Sequence, residues 1–415
     1  MPAEPPPASD ASPTPGGKSV LALLLVLVFL NIAGFSLILP LLPFYGQQFQ
    51  ALPVEVTMLF AAYSLGNIFG EIHWGRLSDT WGRKRVLMLT TAGAAVTYVA
   101  FAFAPSLWLA MLFRMVNGFF GGTLGVCQSY IADVTRPHDR ARSMGYFGAA
   151  FNFGFAIGPA IGGLLVRPEL GLAGFRLPIL AAAALAAMAG LWSLVVLKET
   201  RTPGEARALP RFGAAMAIVA GHPLLLRLFA LAFIGIAAFA SMEAVFGLWT
   251  AHNFHWTAHQ LGLTFLAVGI TGVAVQVLLI GPFARRFGEA RVIVMGLSVL
   301  ALSMILQPVL RNPVAAVVLI SMLMAGHGLA FPNVGSLLSQ TTPRDVQGSV
   351  LGLQMASNAL SRIVVPPVFG LVYGAVSPDA PFYLCALMVA FAILVALQAV
   401  RITSAASGKA KQAAL

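Results

Sequence analysis

Four charged side chains lie inside long apolar stretches: Glu71, Arg114, Glu243 and Arg362. In hydrocarbon such a charge costs about 2.5–3.5 kcal/mol even on the lenient scale, so each must face protein or water. Glu243, within Ser241-Met-Glu-Ala-Val-Phe246, is an isolated carboxylate and a candidate proton carrier that also attracts cations. The plainer alternative is a carboxylate bonded to a neighbouring helix. Glu71 ends a row with Tyr63 and Asn67 at i, i+4 and i+8, which makes one helix face polar. It also lies one turn from Gly75, so a gate and a binding cavity are equally open to it. Gln354, Asn358 and Arg362 form a second such row. Asn31, Gln276 and His327 are single polar residues near mid-depth, each able to contact a solute or to bond a nearby backbone. This is chemistry for binding a solute and moving a proton. No nucleophile–base pair or metal-ligand constellation stands out, so the chain does not read as an enzyme. His252, His255 and His259 have no acid or cysteine beside them and read as helix-end residues, with no metal.

The elements that hold these residues follow from composition. The chain has 415 residues, of which 59% are hydrophobic and only 9% charged. Soluble domains average roughly 25% charged, so this chain cannot cover a soluble surface. Its mean hydropathy is +0.86. A spanning helix needs about 20 apolar residues. Twelve stretches qualify, near 19–44, 54–75, 86–104, 107–132, 142–166, 176–197, 224–249, 259–281, 291–310, 314–339, 347–374 and 381–401. Before them, residues 1–18 are proline-rich, lack an apolar run and read as a disordered tail, without the basic n-region of a signal peptide. Residues 198–223 read as a basic linker, and residues 402–415 as a frayed tail.

The formal charge of +11 is distributed, not diffuse. With both termini inside, the inner segments hold 20 Lys and Arg and the outer segments only Arg167, Arg176 and Arg311. That asymmetry sets orientation. It places the basic residues against anionic headgroups and leaves no need for nucleic acid.

The two halves repeat. Gly75, Gly82, Arg85 and Val86 recur as Gly281, Gly288, Arg291 and Val292, an offset of 206 residues. Pro137, Asp139 and Ser143 recur as Pro343, Asp345 and Ser349 at the same offset. Twelve spans therefore read as six plus six in parallel orientation: an N-terminal bundle over 19–197 and a C-terminal bundle over 224–401. Transporters built this way bind their solute between the halves near the midplane.

Gly75-Arg-Leu-Ser-Asp-Thr-Trp-Gly-Arg-Lys-Arg85 resembles motif A of the major facilitator superfamily, in the expected loop. Arg114, Asn117, Gly118 and Gly122 look like motif B, with Asn117 where many relatives carry Gln. Gly148, Gly154, Gly158-Pro159 and Gly162-Gly163 resemble motif C, associated with proton-driven drug exporters. Met242-Glu243-Ala244 and Phe287-Gly-Glu-Ala-Arg291 further resemble the tetracycline-exporter-like branch. The resemblance covers the whole chain. It implies a gate latch at Gly75, Asp79, Gly82 and Arg83, with Asp133 as partner for Arg83. It implies a role for Arg114 in proton transfer beside a carboxylate. The Gly154, Gly158, Pro159 and Gly162 helix is expected to be pliable and closely packed at the interface of the halves, although packing alone explains such glycines equally well.

The expectation is an all-α integral membrane protein of two six-helix pseudo-symmetric bundles. It works as a monomeric, proton-coupled antiporter of the inner or plasma membrane, exporting amphipathic drug-like molecules. No G-x-x-x-x-G-K-[ST] loop is present, so the proton gradient, with no cofactor, is the expected energy source. A uniporter or metabolite exporter of the same fold is the alternative, since fold does not fix function. A receptor or scaffold is the second.

Overall fold

The computed structural model describes residues 17–136, 139–199, 212–343 and 346–413. Pro137, Arg344, Asp345, residues 1–16 and most of the linker lie outside them. Among the described residues every long element is helical, as hydrocarbon demands of backbone that has no water to bond. Eleven helices are long and apolar enough to cross a membrane. They are span 1 (Val20–Gln47), span 3 (Arg83–Ala102), span 4 (Leu107–Val134), span 5 (Arg142–Leu165), span 6 (Pro168–Val196), span 7 (Pro223–Phe254), span 8 (Ala258–Phe287), span 9 (Glu289–Leu306), span 10 (Pro313–Thr341), span 11 (Gln347–Ala375) and span 12 (Ala380–Ile402). Span 2 (Pro53–Trp81) has 29 residues and completes twelve. It falls short only in apolarity, because it carries the row of Asn67 and Glu71 and the polar turns after Gly75.

Several boundaries differ from the sequence reading. Span 2 continues to Trp81 because nothing before Gly82, at φ +108°, breaks the helix. Span 1 is interrupted by a 3₁₀ turn at Leu39–Leu41, where Pro40 and Pro43 remove backbone donors. Span 4 breaks at Gly122 and Thr123, and span 8 holds a π-helical turn at Val275–Leu279. The linker contains a helix, Phe212–Gly221. The last helix runs to Ala413 and does not fray at 402, consistent with its alanines, the best helix formers.

Tight caps define the end where spans 1 and 2 are joined, here called the apposed end. Ser106 Oγ accepts from Leu109 N, Thr257 and Gln260 form a capping box, and Asn312 Oδ1 accepts from Val314 N at 2.8 Å. Asp379 fastens this end of the C-terminal half. It accepts from Trp249 Nε1 and Arg311 Nη2, both at 2.7 Å.

Spans 1–6 pack among themselves, as do spans 7–12. Two seams join the halves: span 2 against span 11, and span 5 against span 8. The seams are closed at the apposed end. A methyl on Gly370 would overlap Thr57 of span 2, and one on Gly163 would come within 2.9 Å of Ala258 O on span 8. His259 Nδ1 lies 3.3 Å from Gly163 O across the same seam. At the opposite, arginine-rich end the halves stand apart. A methyl on Gly75, Gly145, Gly281 or Gly348 would meet nothing within 4 Å.

Candidate functional site

Between the halves lies a cavity of about 260 Å³. Asn31 from span 1, Tyr63, Asn67 and Glu71 from span 2, and Asn358 and Arg362 from span 11 all line it. Residues of both polar rows thus share one space, with Phe35, Phe151 and Phe155 as its apolar wall. Glu71 lines this cavity from the span 2 side. Ser64, Tyr98 and Thr123 also line it and were missed, since single hydroxyls in apolar helices give no periodic signal.

A second cavity of about 20 Å³ adjoins the first. Arg114 and Glu243 line it, and neither lines the larger one. Arg362, Tyr63, Ser64 and Phe35 line both. The small cavity has room for about one water. Arg114 is fully buried, with its guanidinium 4.8 Å from the centre of the Tyr63 ring and Nε 3.5 Å from Leu59 O. Its Nη1 has no hydrogen-bond partner among the described residues. Asn117, one turn on, donates to Thr97 Oγ1 at 2.9 Å and Ala94 O at 3.2 Å, and so ties span 4 to span 3. Among the described residues Glu71, Glu243 and Arg362 form no ion pair within 4.0 Å. Their charges face cavity space, and this is how the membrane interior tolerates them.

Three polar candidates do not line the cavity: Gln354, the first residue of the span 11 row, and the single residues His327 and Gln276. Gln354 is buried. His327 sits between the rings of Phe239 and Phe331, at 4.8 and 4.4 Å, with Nε2 unpartnered among the described residues. Gln276 lies in the π-turn and accepts from Asn152 Nδ2 of span 5, a bridge between the halves. In helices apolar on all sides, sequence alone does not tell which face a lone polar residue occupies.

The Gly75–Arg85 segment, helical apart from the turn at Gly82, organises itself within the N-terminal half. Arg83 pairs with Asp133 and lies 3.5 Å from Asp79. Gly82 brings Glu199 onto the start of span 3, where its carboxylate accepts from Arg83 N at 2.8 Å. Tyr130 OH donates to Lys198 O beside it. Glu199 was not foreseen, because no motif connects it to this loop.

The glycine row of span 5 also differs from expectation. Gly154, Gly158 and Gly162 face span 1 of their own half, not the other half. A methyl on Gly158 would lie 2.5 Å from Ala33 O, and Ser36 Oγ donates to Gly154 O at 3.1 Å. Contact with span 8 is made by the other side of the helix, through Ala156, Gly163 and the Pro159 carbonyl. Pro159 is accommodated inside the helix without ending it.

Two helical bundles with a solute-sized cavity between them, sealed at one end and parted at the other, define a membrane transporter built for alternating access. The profile of the Major Facilitator Superfamily matches residues 24–250 and 228–414, and the chain belongs to that superfamily. It is 31% identical over 374 residues to tetracycline resistance protein, class C, of Escherichia coli, covering 86% of this chain and 91% of that one. It is 24% identical over 362 residues to multidrug resistance protein 2 of Bacillus subtilis (strain 168), covering 86% and 89%. The fold is similar to that of a bacterial homolog of the human lysosomal transporter Spinster in an inward-facing and occupied conformation, with a TM-score of 0.75, 14% identity and coverage of 94% and 97%. The human organic anion transporter MFSD10 aligns with a TM-score of 0.68 at 21% identity, covering 92% and 100%.

Proposed function

We propose that this chain exports amphipathic drug-like small molecules in exchange for protons. The supporting observation is the pair of adjoining cavities: one large enough to take part of a drug and walled by phenylalanines and amides, the other holding a carboxylate in space for a single water. Solute occupies the first, and the proton is carried at Glu243 in the second, with Arg114 beside it. The energy source is the proton gradient, without a cofactor. The arginine-rich end faces the cytoplasm of a bacterial cell membrane, both termini lie on that side, and the working unit is a monomer. The structure then corresponds to the state that loads solute from within.

Purified protein in liposomes with an imposed pH gradient tests this reading. Adding a transported drug should release protons from the vesicles, followed with a pH-sensitive dye, and drug flux should collapse with the gradient. Drug flux indifferent to pH would replace it with a uniporter.

The Gly75–Arg85 loop is the latch of the opposite state. Arg83 is held ready by Asp79 and Asp133, and closing brings this segment against the start of span 11. In the present state Gly75 has open space beside it. Gly75→Leu should therefore leave the thermal midpoint of the detergent-solubilised protein unchanged, yet reduce transport about tenfold or more by obstructing closure. Equal transport in the variant would remove the latch role from this position.

A further inference from the structure

The drug and the proton are bound in different cavities, and that raises a physical problem. Antiport requires the two to exclude each other. The simplest means is competition for one carboxylate, but the space at Glu243 admits about one water and no drug. Glu71 can meet a drug, since it lines the large cavity, but it does not line the small one.

Four side chains line both cavities, and Arg362 is the one that carries charge. Its charge acts on Glu71 of span 2 and on Glu243 of span 7. It is committed to neither, for it makes no ion pair or hydrogen bond among the described residues. The other titratable groups its charge acts on are Tyr63 of span 2 and His327 of span 10, while Arg114 of span 4 also acts on Glu243 and lines the small cavity with it.

We propose that Arg362 is the positioning residue that couples the two sites, toggling between Glu243 and Glu71, and that the solute it governs is an organic cation bound at Glu71. This rests on the antiporter reading with Glu243 as proton carrier. With Glu243 ionised, the guanidinium is drawn to it, and Glu71 is left for the cation. When Glu243 takes a proton its hold on Arg362 ends. Arg362 then turns to Glu71, covers that carboxylate and brings a positive charge into the drug cavity. A proton at one site and a cation at the other thus exclude each other without touching, which is the sign antiport requires. By linkage the effect is reciprocal: a bound cation holds Glu71, confines Arg362 to Glu243 and disfavours protonation there.

Tetraphenylphosphonium is the test probe, because it has no titratable group and any pH dependence belongs to the protein. Its equilibrium binding to the detergent-solubilised full chain should weaken as pH falls. Glu243→Gln, which mimics the protonated acid outside the drug cavity, should weaken binding about tenfold at neutral pH, in the usual range for coupled sites. Glu71→Gln should weaken it similarly. The decisive variant is the double Glu243→Gln/Arg362→Gln. It should restore binding close to that of the unmodified protein and remove the part of the pH dependence that Glu243 contributes, leaving only that of Glu71 itself, an outcome that a merely structural arginine does not produce. Arg362→Lys, which keeps the charge, should retain the pH dependence and shows whether position 362 tolerates replacement. The proposal is overturned if Glu243→Gln binds the cation as the unmodified protein does, if the double variant is no better than Glu243→Gln alone, or if the unmodified protein binds a neutral drug such as chloramphenicol but not tetraphenylphosphonium. The antiporter reading fails separately, when liposomes show drug flux without proton release; the binding series in detergent then still decides whether Arg362 toggles.

Discussion

Glu243→Gln should abolish drug-driven proton release in liposomes, with a loss of about 100-fold or more, the usual effect of removing a proton-transfer group. The substitution keeps the size and shape of the side chain and deletes only its ability to ionise. Glu243 makes no hydrogen bond or ion pair among the described residues. Its removal therefore breaks no described structural link, and the purified variant should elute and melt like the unmodified protein. Those two results together separate a proton carrier from a carboxylate that braces neighbouring helices. A variant that folds normally and still exchanges protons for drug would transfer the role to Glu71, the remaining acid in the two cavities. A variant that fails to fold would show that Glu243 is structural. Asn or Asp at this position gives less clear answers, since shortening the side chain also enlarges the pocket.

Gly158→Leu should give no monodisperse protein, a loss of more than about 3 kcal/mol, at the upper end for overpacked sites. The first added carbon alone meets Ser36 Oγ, lies 2.5 Å from Ala33 O and 2.9 Å from Leu37 N. Two of these are backbone atoms, which cannot rotate away. Spans 1 and 5 would have to separate, and with them the wall that Asn31, Phe151 and Phe155 contribute to the cavity. Gly145→Leu on the same helix is the control, since a side chain there meets open space. Fluorescence-detected size exclusion of the two variants compares them directly. Normal elution of Gly158→Leu would mean that the spans part more readily than close packing allows.

The membrane topology was legible because hydrocarbon imposes a simple rule: each span must be long, apolar and helical. The polar rows on spans 2 and 11 were legible for a related reason, since polar residues at helical spacing fix a face: all of Tyr63, Asn67 and Glu71 reach the cavity, and Asn358 and Arg362 do, while Gln354 at the end of its row is buried in the protein. Single residues carried no such phase. His327 turned into the protein, and Gln276 was claimed by Asn152 of the other half. The glycine motif of span 5 announced close packing but not the partner, because a helix has two sides and both carry small residues. Nor does spacing reveal that Glu71 and Glu243 open into separate compartments. That depends on how Tyr63, Phe35 and Arg362 of three different spans come together along both cavities.

The two cysteines have a practical consequence. Cys127 on span 4 and Cys385 on span 12 are both buried, at 1% and 0% exposure. Buried thiols in apolar surroundings are inert towards water-soluble reagents. The native chain is therefore close to a cysteine-free background as it stands. Cysteines introduced at Gly145 and Gly281, one in each half at the open end, can be alkylated or spin-labelled selectively. Distances between such labels would then report the rocking of the halves in an otherwise unaltered protein.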